Sequence, residues 1–223
     1  MVNNLFKRII TSGILFFIIS ISLFYNKYIW LFFLTMVSLI LFIEFNNLIK
    51  KIWKKEKNIA YNFKIFSLLF LLILIYAAYD SYNNPPTGLV FIILICIFSD
   101  TGGYVIGNLV GGKKLTKISP NKTISGSIGS FIFSLFPIVI FWWFSNFTNH
   151  WSFKLEISLK LIPVCLFLCL ICQLGDLFIS YFKRKAKVED TGSILPGHGG
   201  FLDRIDGIIF VLPAAYLMDK IFF

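Results

Sequence analysis

Four aspartates stand where a carboxylate is costly or crowded. Asp100 closes the apolar run Leu89–Ser99, and Asp176 sits in Gln173-Leu-Gly-Asp176 inside a second such run. Asp203 and Asp206 flank Arg204 just ahead of a third. A charged group within an apolar run needs a partner or a task. Four of them beside glycine-rich polar loops point to a shared cation site. Oxygen-only ligands suit a hard ion such as Mg²⁺, which takes a few carboxylates together with substrate phosphate. The chain has only two histidines and no Cys–His cluster, so a zinc or copper centre is not expected. The structural alternatives are an intramembrane ion pair for Asp100 or Asp176, and a helix cap for Asp203 with Asp206 in the first turn. The i, i+3 spacing of Asp203 and Asp206 also puts both carboxylates on one helix face.

Two polar loops could meet phosphate. Residues 183–204 open with Lys183-Arg184-Lys185 and contain Pro196-Gly-His198-Gly199-Gly200. The glycines permit backbone conformations that expose N–H groups as an anion nest, and the helix expected to follow adds a positive end. Residues 111–123 carry Lys113, Lys114, Lys117, Ser119, Lys122 and Thr123 ahead of another apolar run, a weaker pattern of the same kind.

These residues must be positioned by membrane-spanning helices. Of 223 residues, 57% are hydrophobic and 14% charged, against about 25% charged in a soluble domain. Apolar runs long enough to cross a bilayer occur near 9–25, 28–49, 62–79, 89–110, 124–146, 157–182 and 205–223. The expectation is an all-α polytopic integral membrane protein with about seven spans. Helices 1–3 fall in 1–88, and the catalytic region with its two loops in 89–223. No small-residue cleavage site follows the first run, so it reads as a retained span and not a signal peptide. With seven spans, Lys7, Arg8, the block 50–57 and both basic loops share one face. Lys27, Lys154, Lys160 and Lys220 take the other. The positive-inside rule makes the first face cytoplasmic and puts the C-terminus outside.

The net charge of +10 therefore reads as topology and anionic headgroups, and no nucleic acid is expected. Cys96, Cys165, Cys169 and Cys172 lie within apolar runs and read as packing residues. Gly103, Gly107 and Gly111 recur every fourth residue, as do Gly126 and Ser130, the spacing of close helix contacts.

The stretch Ser180–Asp206 resembles the signature of the phosphatidate cytidylyltransferases. Ser180-Tyr-Phe-Lys183-Arg184, Asp190-Thr-Gly192 and Leu195-Pro-Gly-His198-Gly199-Gly200-Phe-Leu-Asp203-Arg204-Ile-Asp206 fit it in order and spacing. Ser99-Asp100-Thr-Gly-Gly-Tyr104, Ile118-Ser119-Pro-Asn-Lys122-Thr123 and Gln173-Leu-Gly-Asp176-Leu177 resemble upstream segments of the same family. The resemblance implies an enzyme of phospholipid biosynthesis. It would make CDP-diacylglycerol and pyrophosphate from CTP and phosphatidic acid among membrane lipids. The implied place is a bacterial inner membrane, with the site on the cytoplasmic side.

It further implies Asp176, Asp203 and Asp206 as metal ligands, with Asp100 in support. The metal is Mg²⁺, or Mn²⁺ in its place, with room for a second cation. Lys122, Lys183, Arg184 and Arg204 would hold phosphates. Ser119, Thr123 and Ser180 would line the substrate site, and His198 with Gly199 and Gly200 the nucleotide or pyrophosphate pocket. A homodimer is also implied. Glu189, Ser125 and Ile179 depart from the family pattern, which has Lys at the first position, an acid or amide at the second and often an acid at the third. Two other readings fit parts of the pattern: a CTP-dependent lipid-alcohol kinase, and a transporter using the intramembrane acids.

Overall fold

The computed structural model describes residues 2–83, 87–147, 159–197 and 199–222. Side chains are described throughout these segments except at 2–9, 12, 83, 146, 147, 221 and 222. The described chain forms α1 (Val2–Tyr25), α2 (Lys27–Ile52), α3 (Lys57–Asn83), α4 (Thr87–Val110) and α5 (Ile124–Phe133). It continues as α6 (Phe136–Phe147), α7 (Leu161–Lys185), α8 (Leu202–Ile205) and α9 (Ile208–Phe222). Among the described residues there is no strand beyond two isolated bridges. In a bilayer the backbone must satisfy its own hydrogen bonds, and these apolar runs do so as helices.

Five helical segments are long and apolar enough to cross a membrane: α2, α3, α4, the α5–α6 stretch Ile124–Ser145, and α7. The chain is an integral membrane protein. Of the seven expected spans, the first contributes the shorter apolar segment Gly13–Tyr25 of α1. The last corresponds to the 15-residue α9, which carries Pro213; the single turn α8 precedes it in the chain. The fifth is interrupted at Ser134-Leu135, where α5 ends and α6 begins.

Contacts divide the chain into two compact units, otherwise than by order along the sequence. The first holds residues up to Asp80 together with Tyr181–Asp206. In it, Asn26 caps α2 by accepting from the Tyr28 N–H at 2.9 Å. The Trp30 Nε1–H donates to the Ala78 carbonyl at 3.1 Å, tying α2 to α3. Leu41, Leu48 and Ile49 are almost fully buried. At the end of α2, Trp53 stacks on Phe63 at 4.6 Å, and Phe63 meets Phe182 edge-on at 5.8 Å.

The second unit holds Ser81–Ser180 and Gly207–Phe223. Its core joins Phe91, Ile95 and Cys96 of α4 to Phe141, Cys165, Leu168, Cys172 and Val211. All four cysteines are free and buried. Between helices in lipid, close backbone approach replaces the hydrophobic drive available in water. The α4–α5 contact shows it. A Cβ on Gly129 would stand 2.5 Å from Ile106 Cβ and 2.7 Å from the Gly102 carbonyl oxygen. One on Gly126 would stand 2.7 Å from the Gly103 carbonyl oxygen. Gly102 and Gly129 thus join the expected series, and Gly111 leaves it. Gly111 has nothing near it, adopts φ +63° and donates its N–H to the Gly107 carbonyl at 3.0 Å, so it terminates α4.

Candidate active site

In the second unit, α4 and α7 hold Asp100 and Asp176 at similar depth. Asp100 is ten residues before the end of unbroken α4, about 15 Å at the helical rise, and Asp176 nine before the end of α7, about 14 Å. The loop between α4 and α5 folds back to reach them. Leu115 N–H donates to the Lys122 carbonyl at 2.8 Å, Ile124 N–H to Lys113 at 3.0 Å, and Lys122 N–H to Ser119 at 3.1 Å. Thr123 caps α5 by accepting from the Gly126 N–H at 3.0 Å. Ser125, one of the departures, donates its hydroxyl to the Gly111 carbonyl and so ties the loop to the end of α4.

The turn delivers Lys122 Nζ to Asp176 Oδ2 as an ion pair. Asp176 Oδ1 accepts from Ser180 Oγ at 3.3 Å. Asp100 interacts electrostatically with both Asp176 and Lys122 and makes no hydrogen bond to a described side chain. It lines a cavity of about 210 Å³ with Tyr104, Lys122, Thr123, Ser127 and Gln173. Other polar side chains of the cavity wall are already hydrogen-bonded. Ser127 Oγ donates to Gln173 Oε1 at 2.5 Å, Gln173 Nε2 to Cys169 Sγ at 3.4 Å, and Ser130 Oγ to the Ser99 carbonyl at 2.8 Å.

In the first unit, two buried carboxylates organise the loop after α7. Asp203 Oδ1 accepts from Lys183 Nζ at 2.7 Å. Its Oδ2 accepts from the Thr191 N–H at 2.8 Å, the Thr191 hydroxyl at 2.9 Å and the Gly200 N–H at 3.1 Å. Glu44, 2% exposed in the middle of α2, accepts from the Thr191 hydroxyl at 3.0 Å, the Phe201 N–H at 3.0 Å and the Leu202 N–H at 2.8 Å. The loop has no room for side chains at Gly192, Gly199 and Gly200: a Cβ on Gly192 would stand 2.5 Å from Glu44 Oε1.

This geometry removes one structural alternative and corrects one expectation. Asp203 does not cap the last span. The cap position of α8 is Phe201, Asp203 lies inside α8, and Asp206 closes it. The anion nest is also filled from within. Gly199 N–H donates to the Leu195 carbonyl at 3.2 Å and Gly200 N–H to Asp203. The N–H groups that open α8 meet the carboxylate of Glu44. An anion does occupy this loop, and it belongs to the protein.

The expected residues fall as follows. Asp100, Ser119, Lys122, Thr123, Asp176 and Ser180 belong to the second unit; Lys183, Arg184, Gly199, Gly200, Asp203, Arg204 and Asp206 to the first. His198 lies outside the described residues. Arg184 and Arg204 are exposed. Of the remaining departures, Ile179 is buried at 1% exposure and Glu189 is exposed. Within either unit, no three His, Cys, Asp or Glu among the described residues gather as a metal cage. Glu44 escaped the sequence reading. The signal was the one that found Asp100, a lone carboxylate within an apolar run, here Leu-Phe-Ile-Glu44-Phe.

Fold and site together define a helical integral membrane protein with carboxylate–lysine chemistry facing a polar cavity among its spans. The chain belongs to the Cytidylyltransferase family, whose profile matches residues 7–222. It is similar to the phosphatidate cytidylyltransferase of Staphylococcus haemolyticus, 44% identical over 137 residues that make up 59% of this chain and 50% of that one. The Staphylococcus aureus (strain COL) protein of the same name is 45% identical over 137 residues, again 59% and 50% of the two chains. That of Staphylococcus epidermidis is 42% identical over 137 residues, 60% and 50%. The chain spans about half the length of the curated relatives it matches.

Proposed function

We propose that this chain carries the reaction after which those relatives are named, transferring a cytidylyl group from CTP to phosphatidate. The observation that carries the reading is 42–45% identity to phosphatidate cytidylyltransferases. The site's chemistry supports it. A phosphatidate oxygen attacks the α-phosphorus of CTP. The new P–O–P linkage forms, the bond from that phosphorus to the bridging oxygen breaks, and pyrophosphate leaves. Phosphatidate is ionised near neutral pH, so no side chain has to take a proton from it. The demand is for positive charge around crowded phosphates.

Lys122 meets that demand from the loop, held at the cavity by Asp176. Lys183, Arg184 and Arg204 are further cations for phosphate, Lys183 being oriented by Asp203. Ser119, Thr123 and Ser180 line the substrate site in this reading, with His198 on the nucleotide side; Gly199 and Gly200, whose N–H groups are taken within the loop, shape the turn next to it in sequence.

A hard divalent cation fits the donor set of the second unit: Asp100 has oxygens without hydrogen bonds to described side chains, and Asp176 is its neighbouring carboxylate. Asp100 and Asp176 would hold Mg²⁺ or Mn²⁺, which when bound neutralises the triphosphate. Asp203 carries four donors already, so its first task is to hold the loop. Asp206, in the first unit, is the remaining carboxylate of the expected acidic set, and a second cation stays part of the reading. The active face is taken as cytoplasmic in a bacterial inner membrane, and the assembly as a homodimer.

The test is purified protein with phosphatidic acid, Mg²⁺ and CTP labelled at the α- or γ-phosphorus. The α-label should enter the lipid and the γ-label should leave as pyrophosphate. A lipid carrying the γ-label, with CDP as co-product, would mark a lipid-alcohol kinase and overturn the reading.

A further inference from the structure

A second cavity, remote in sequence from every residue named for the reaction, opens in the first unit where α2 ends and α3 begins. It encloses about 400 Å³. Lys50, Lys54, Lys57 and Lys64 line it, and no acidic residue does. Four ammonium groups around one opening repel each other unless an anion lies between them.

Asn46 forms part of the wall. It is only 9% exposed, yet its side-chain amide makes no hydrogen bond to a described residue. An amide buried without a partner is destabilising. No fully enclosed polar side-chain atom in the described residues lacks a partner, so the Asn46 amide keeps some exposure, and the cavity that Asn46 lines is the adjoining space. Its donors and acceptor are therefore offered to whatever enters.

The surroundings say what enters. The cavity lies at the junction of two helices that are each long and apolar enough to cross a membrane. Trp53 and Tyr61 stand at it, the residue types that sit at headgroup level. Of the five long apolar helices, α3 is the least buried, at 17% of its apolar window, and Phe66 and Leu69 remain exposed along it. Acyl chains have an apolar wall directly beside the lysines. We propose that this cavity binds the phosphodiester headgroup of an anionic phospholipid from the surrounding leaflet. The lysines take the phosphate oxygens, and Asn46 hydrogen-bonds the phosphate or glycerol oxygens. The site is independent of the cytidylyl-transfer reading, and its ligand is not consumed.

The test is native mass spectrometry of the purified, delipidated full chain in neutral detergent. The probes are dioleoyl phosphatidylglycerol, dioleoyl phosphatidylcholine and inorganic phosphate. One phosphatidylglycerol should be retained under conditions that strip phosphatidylcholine. Each lysine near an anionic lipid contributes roughly fivefold in affinity, so Lys54→Gln with Lys57→Gln should weaken retention roughly thirtyfold. Lys27→Gln with Lys220→Gln, the same charge change elsewhere, should leave it as in the parent. Asn46→Leu should weaken retention with the lysines intact. Equal retention of phosphatidylcholine, unchanged binding in both cavity variants, or displacement of the lipid by 10 mM-scale (roughly) inorganic phosphate would overturn the assignment. Because binding is read directly, the result stands whatever the reaction assay gives.

Discussion

The carboxylate of Glu44 and the hydroxyl of Thr191 meet at 3.0 Å across 147 residues of chain. The same hydroxyl lies 2.9 Å from Asp203, so one side chain of the loop bridges two buried acids. Through it, a residue in the middle of a transmembrane helix sets the shape of the loop that carries Lys183 and Asp203.

Glu44→Ala removes the acceptor of the Phe201 and Leu202 N–H groups and of Thr191. Each donor left buried and unmatched costs about 1–3 kcal/mol. The variant is expected to lose several degrees of thermal stability in detergent and to become cleavable by protease within 183–204. Glu44→Gln keeps an acceptor oxygen and should lose less. Unchanged protease resistance of Glu44→Ala would refute the anchoring role.

Lys183 and Asp203 form a pair with only 16% and 6% of their side chains exposed. Removing one partner strands a buried charge, a cost of about 3–5 kcal/mol. Lys183→Met and Asp203→Asn should each lower the thermal midpoint and turnover together. A stability double-mutant cycle should return a favourable coupling. Strict additivity would show that the two side chains act separately.

Lys122→Met leaves Asp176 without its cation and, in the proposed reaction, a triphosphate without one donor. A hydrogen bond to a charged group is worth about 1.5–3 kcal/mol, or roughly 10–100-fold in affinity. The KM for CTP should rise by that factor. Turnover should fall by orders of magnitude in Asp176→Asn, and EDTA should abolish it until Mg²⁺ is restored. Full activity in EDTA would remove the cation from the proposal.

The α4–α5 seam is tested by adding one methyl group. Gly129→Ala meets Ile106 Cβ at 2.5 Å, an overpacking that costs about 1–3 kcal/mol. Gly88→Ala meets nothing within 4 Å and serves as the matched control. Gly129→Ala should lower the thermal midpoint in detergent and Gly88→Ala should not. Equal behaviour of the two would mean that the helices separate freely.

The helices were legible because apolar runs of spanning length admit little else. Asp100 was legible as a charge inside such a run, and Lys122 as a cation ahead of a helix. The partnership of Lys122 with Asp176 was not, because it depends on how the turn at Ser119–Lys122 folds back. Asp203 shows the limit of local rules. Its position before an apolar run matches a helix cap, but Lys183 and two backbone N–H groups claim the carboxylate first. Gly111 fits the fourfold spacing of its neighbours and yet ends the helix, since spacing carries no information on φ. The break in the fifth span at Ser134-Leu135 had a signal that went unread: Pro137, in the first turn of α6, has no N–H to continue the α5 ladder.

Glu44 also has a consequence for synthesis. Its partners at Thr191, Phe201 and Leu202 leave the ribosome at least 147 residues later, roughly 7–30 s at ordinary elongation rates. Throughout that interval α2 must enter the membrane with a carboxylate whose acceptor oxygens have no final donors. Its placement is provisional until the segment from Thr191 to Leu202 arrives. Interrupting translation before residue 191 should yield an α2 that slips back to the aqueous side more readily than the same helix carrying Glu44→Leu.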